Sequence, residues 1–151
     1  VATLGNFTAA VLTAAELNAI GTFTAWTPTL TNLTIGTTGA ESVHRYSKIN
    51  EVVVFQSKIV LGTGGSISGN FSITLPVTAS ATSTIAASVN LIDAANTFYP
   101  GSVTMLSTSE LAVYAINAAS TYASMQRVAA AVPFTWAAGD IITINGAYEA
   151  A

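Results

Sequence analysis

From Phe23 to its end, the chain is a series of short runs rich in Val, Ile, Thr, Tyr, Phe and Trp, separated by clusters of Gly, Pro, Asn and Ser. Such punctuation restricts a chain to strands joined by turns, because β-branched and aromatic side chains pack well on a pleated surface while Gly, Pro and Asn supply turn geometry. The clearest unit is "SVHRYSKINEVVVFQSK", Ser42 to Lys58. With a side-chain period of two, Val43, Arg45 and Ser47 lie on one face of a first strand and His44, Tyr46 and Lys48 on the other. Beyond a turn at Asn50 and Glu51, Val53, Phe55, Ser57 and Ile59 oppose Val52, Val54, Gln56, Lys58 and Val60. The pattern predicts a β-hairpin with Val53, Phe55 and Ile59 turned together onto one face.

The flanking segments extend the same reading. "AWTPTLTNLTI" alternates Trp26, Pro28 and Leu30 with threonines, and its proline suits an edge strand or the beginning of one. "LGTGGSISGN" reads as a glycine-rich connector, and "FSITLPV", "STIAASVNLID" and "ELAVYAIN" as further strands. Pro100-Gly101 in "FYPGSVTML" carries a turn signal. "AASTYASMQRVAAA" is open between helix, which Ala and Met allow, and loop with strand, which the context favours. "AAGD" reads as a turn before a last strand. About eight short strands at this spacing predict an all-β fold, an antiparallel β-sandwich of jelly-roll type.

Before Gly21 the pattern differs. In "AAVLTAAELNAIG", Thr13 as N-cap and Glu16 three residues later form a capping box, Leu12 and Leu17 occupy the staple positions, and Gly21 supplies a stop. A helix of about two turns is marginal in water by itself, so it must dock, either on its own domain or at a seam with sister chains. The expected organisation is an N-terminal anchoring or trimerisation segment at 1–21, with Val11, Leu12, Leu17 and Ile20 as its contact residues, followed by one β-sandwich domain at 22–151.

Charge decides what such a fold is for. Only 7% of the 151 residues are charged, the formal net charge is −3, and 51% are hydrophobic. About 25% charged is ordinary for soluble domains, so this surface lacks the charge that normally keeps copies apart and reads as one built to be covered. No window reaches the roughly 18 consecutive apolar residues of a membrane helix, so no membrane insertion is expected. A signal peptide is not expected either, because no basic start precedes an unbroken apolar block. Four Lys and Arg residues provide no basic stripe for nucleic acid. With no cysteine, disulfides and thiolate metal sites are excluded.

Catalytic chemistry needs groups with poised pKa values, and the chain holds one histidine and seven scattered carboxylates. A serine partner for His44 is arithmetically available, yet no nucleophile-elbow sequence surrounds any serine, and an ordinary strand histidine is the better reading. Glu41 and Glu51, flanking the hairpin, read more simply as solvated turn residues than as a glycosidase pair. Asp93 and Asp140 stand alone, so no metal site, no cofactor and no catalytic residue is expected. "GTGGSISG" lacks the Lys and the strand-to-helix setting of a phosphate loop. Sugar binding has better raw material in Trp26, Tyr99, Tyr122 and Trp136, the candidate glycan or partner contacts, although large rings more commonly fill a core or a subunit seam.

Two stretches carry a resemblance. "LTAAELNAIGTFTAWTPTLTNLTIG" followed by "RYSKINEVVVFQSKIVLGTGGSISGNFSITLPV" resembles a module of tailed-bacteriophage virion proteins of the minor-tail, tail-fibre and head-fibre kinds. The matching positions are Leu12 to Asn18, Trp26 to Pro28, Tyr46, Asn50-Glu51 and Ile73 to Pro76, and "PFTWAAGDIITINGAYEA" is similar to the module's ending. The resemblance implies a β-sandwich head, commonly trimeric, behind a short helical neck, and no catalytic residues. Only about twenty residues precede the β domain, which also fits a compact decoration protein on a capsid. The expected function is therefore non-enzymatic: a homotrimeric virion component, with capsid decoration and host-glycan binding as alternatives. Its expected partners are its own copies, other virion proteins and host surface sugar.

Overall fold

The computed structural model describes residues 21–82, 85–94, 97–118 and 123–151. Ten strands follow one another: β1 (Thr24–Ala25), β2 (Leu30–Thr34), β3 (Glu41–Ile49), β4 (Val52–Val60), β5 (Ser66–Thr74), β6 (Ile85–Asp93), β7 (Thr97–Ser107), β8 (Glu110–Asn117), β9 (Ser124–Arg127) and β10 (Ile141–Glu149). All pair antiparallel along one path, β1-β3-β4-β10-β6-β7-β8-β5-β2, with β9 added on β8. The all-β antiparallel reading is thus correct, in the form of one curled sheet. No helix occurs among the described residues; the capping box at Thr13 and Glu16 lies outside them.

The hairpin forms as the alternation requires. β3 and β4 pair from Glu41–Val60 to Ile49–Val52 around Asn50, which takes a left-handed φ of 53°. Asn tolerates that region better than most residues, because its short side chain bonds locally. Val53, Phe55 and Ile59 are all fully buried. Pro28 lies just before β2, which ends the strand path, so its missing donor removes no ladder bond inside the sheet. The ambiguous segment before Ala129 contributes β9, a strand rather than a helix over its described residues.

Pro100-Gly101 departs from its turn signal: both residues sit inside β7, opposite Asn90 and Val89 of β6. Gly101 is required there by close approach. A Cβ would run into the Tyr114 carbonyl and lie 3.1 Å from the Val89 side chain. Pairing on both sides has overridden a local turn preference. Likewise Ser66–Asn70, read as connector, begins β5.

A backbone clasp closes the curl. After β2, the Ile35 carbonyl accepts from the Gly62 N–H at 2.8 Å and Thr37 N–H donates to the Thr63 carbonyl at 3.0 Å. These bonds tie the β2 end of the path to the connection leaving β4. Gly36, with φ 88°, fits because a Cβ would stand 2.7 Å from three backbone atoms of that connection. Inside the curl, Phe55, Ile59, Ile142 and Ile144 of one half share a single core with Phe71, Ile73, Leu111 and Val113 of the other.

Candidate functional site

Three places collect the chemically interesting side chains. The first surrounds His44, which the strand alternation turns inward opposite Ser57. The His44 Nδ1 lies 2.9 Å from the Ser57 hydroxyl, and its Nε2 contacts the Ser42 hydroxyl. A neutral imidazole has one donor and one acceptor nitrogen, so the two hydroxyls take complementary roles. The Trp26 ring stands 5.3 Å away, tilted by 60°, and itself meets Phe55 edge-on at 6.1 Å. Burial lowers the His44 pKa, since charging the ring here would forfeit hydration. A cleft of about 470 Å³ opens beside the pair, lined also by Pro28, Leu30, Ile35 and Arg45.

Chemically this is a histidine pinned between serines. In a hydrolytic triad the third group is a carboxylate that orients the ring and stabilises the imidazolium. Ser57, in that position, is neutral and cannot do so. The sequence allowed a hydrogen-bonded or an exposed strand histidine, and the structure has the former. Among the described residues no group of three or more His, Cys, Asp or Glu side chains is placed to hold a metal ion.

The second place joins two of the predicted aromatic residues. Tyr99 packs on Phe134 at 5.1 Å, and Phe134 on Trp136 at 4.4 Å. Trp136 is buried, with its indole N–H directed to the Ala129 and Val132 carbonyls at 3.0 and 3.2 Å. Its role is therefore to anchor the connection before β10, and Phe134, which sequence reasoning passed over, is the link between it and Tyr99. Tyr99 is half-buried and lines an open groove of about 360 Å³ with Asn117, Gln126, Val132 and Pro133. Trp26 belongs to the His44 cluster instead. Tyr122 and the contact residues Val11, Leu12, Leu17 and Ile20 lie outside the described residues.

The third place is the convex face of β3, β4, β10 and β6, where register arranges outward side chains in rows. Arg45, Gln56, Asn145 and Ser88 form one row, and Val43, Lys58, Thr143 and Asn90 the next. Toward the hairpin turn the rows become largely apolar: Val54, Ala147 and Ala86 beside the buried Ser47, then Ile49 and Val52, with Glu149 at the end of that row. Ile49, Val52 and Val54 are 49%, 54% and 43% exposed, and Phe23, one step beyond the Thr24–Tyr46 pair, is 44% exposed. Sequence alternation had already turned Val52 and Val54 outward; what it lacked was the row formed with Ile49 and β10. Glu41, one of the candidate carboxylates, makes an exposed ion pair with Lys58 at 2.7 Å. Such a pair is worth about 0–1 kcal/mol and marks a solvated surface.

Compared with family models, with curated proteins and with solved structures, the chain matches none.

Proposed function

We propose that the chain is a non-enzymatic structural subunit that assembles as a homotrimer and serves as a surface component of a tailed-phage virion, of the tail-fibre, minor-tail or head-fibre kind. The observation that carries self-association is the outward apolar band of Phe23, Ile49, Val52 and Val54. Covering such a band stabilises an assembly by about 25 cal/mol per Å² of apolar surface removed from water. Lys48, Glu51 and Glu149 stand at the same end of the sheet, and none has an ion-pair partner among the described residues. Glu149 extends the Val52 row and Glu51 sits in the hairpin turn, while Lys48 leaves the opposite face at the same end. Charges of both signs thus rim the band and favour a second copy as the occupant. The low net charge of −3 leaves little repulsion to oppose it.

The virion assignment rests on the resemblance of the Leu12 to Pro76 motifs. The two halves of the curled sheet, packed around a single core, support the jelly-roll-like sandwich that the resemblance implies. The chain enters the described structure at Gly21, where a Cβ would lie 3.6 Å from the Ile49 side chain, beside the apolar band. That placement supports a role for the preceding segment, with Val11, Leu12, Leu17 and Ile20, in trimerisation or anchoring. The neutral Ser57 partner of His44 supports the non-enzymatic reading.

Light scattering on the purified chain tests the assembly. A mass three times 15.4 kDa at micromolar concentration is expected, and 15.4 kDa would refute the trimer. Val52→Asp, which places a charge in the exposed band, is expected to shift the population to monomer without unfolding it. Antibody labelling of phage particles tests the location: copies on the tail or head fibres are expected, a regular lattice on the capsid would move the protein to the decoration class, and particles free of label would overturn the virion assignment.

A further inference from the structure

We infer that the groove at the Tyr99 end of the concave face is a binding site for a neutral saccharide. Continuing the β7–β8 register from Gly101–Ala115 places Tyr99 opposite Asn117, and β9 brings Gln126 beside Ala115. These residues share the inward face of the curl and line one groove, the concave setting in which ligands are commonly received. The groove measures about 360 Å³ and has apolar walls from Ala115, Val132 and Pro133.

Three features select the ligand class. The Tyr99 ring is held by Phe134, which is held in turn by buried Trp136, so an aromatic surface is presented with little freedom left to lose. Asn117 Nδ2 donates to Gln126 Oε1 at 3.1 Å, which orients the Gln126 amide and turns its own N–H donors toward other acceptors. Among the described residues no charged side chain lines the groove. A ring with an apolar face and hydroxyls on its rim satisfies all three, whereas an ionised ligand would be desolvated there without a counter-charge. This site lies apart from the convex band, so the inference does not depend on the trimer.

The test is saturation-transfer difference NMR on the full chain with the methyl glycosides of glucose, galactose, mannose and N-acetylglucosamine, and with a blocked neutral tetrapeptide as the alternative probe. Transfer to the ring protons of at least one glycoside is expected. Gln126→Ala, at an exposed position, should weaken binding about five-fold, the size of one lost hydrogen bond. Tyr99→Leu keeps apolar volume against Phe134 while removing the ring, and should weaken it at least as much with the circular dichroism spectrum unchanged. Absence of transfer to every glycoside, transfer to the tetrapeptide alone, or glycoside transfer unaltered in Gln126→Ala would each overturn the assignment.

Discussion

The Tyr148 hydroxyl donates to the Val77 carbonyl at 2.7 Å and accepts the Val77 N–H at 3.1 Å. One side chain of β10 thus satisfies both backbone groups of a residue in the connection that follows β5, while its ring packs on Phe55 at 5.9 Å. Burial is the main cause that raises the Tyr148 pKa from 10.0 to about 12; the nearby Tyr46 adds to it and the Val77 hydrogen bond opposes it. Because the folded value exceeds the unfolded one, this contribution to stability is whole below pH 10.0 and is lost as pH rises toward about 12. Tyr148→Phe leaves the Val77 groups without their partner, at a cost of about 1–3 kcal/mol. Urea midpoints should fall at neutral pH in this variant and show a shallower alkaline decline than the parent.

His44 has the opposite dependence. Burial holds its folded pKa below the ordinary 6.5, so its contribution is fully present above pH 6.5 and is lost as pH falls through the lowered folded value. His44→Gln, which cannot titrate, should flatten the acid limb of a stability-against-pH curve. An unchanged acid limb would show that carboxylates, not this ring, govern it.

Asp140 is buried, and its two oxygens accept from the Ala137 N–H at 2.6 Å and the Ala94 N–H at 2.9 Å. The carboxylate joins the turn before β10 to the end of β6. Asp140→Ala strands two backbone donors and should cost about 3 kcal/mol, while Asp140→Asn keeps one acceptor and should cost less. Thermal unfolding of both variants gives the order.

Gly36→Ala is expected to open the clasp that closes the curl. The left-handed φ of 88° strains any Cβ, and here three backbone atoms stand 2.7 Å away. A loss above about 1 kcal/mol is expected, with faster amide exchange at Gly62 and Thr37 as the local sign.

The fold class was legible in the chain because strand alternation is a local property. In Ser42 to Lys58 every second residue declares a face, and the left-handed Asn50 and the buried Val53, Phe55 and Ile59 obey that pattern. The alternation put His44 on one strand face with Tyr46 and Lys48, but neither the burial of that face nor the serine partners could be read, since both depend on the register across the hairpin. Tyr99 and Trp136 were legible as large rings that need neighbours. That Phe134 joins them, and that only Tyr99 reaches a groove, follows from pairings between strands far apart in the chain.

The sequence by itself determined that this chain forms antiparallel strands with one face of each turned inward, and that its surface carries little charge, because period, turn chemistry and composition act within a few residues. Only the tertiary structure decided that Pro100-Gly101 runs through a strand, that Gly36 locks the curl, and that Ile49, Val52 and Val54 form one outward band. Each of those outcomes depends on which strand lies beside which, and that choice is made by burying side chains from the whole chain in a single core.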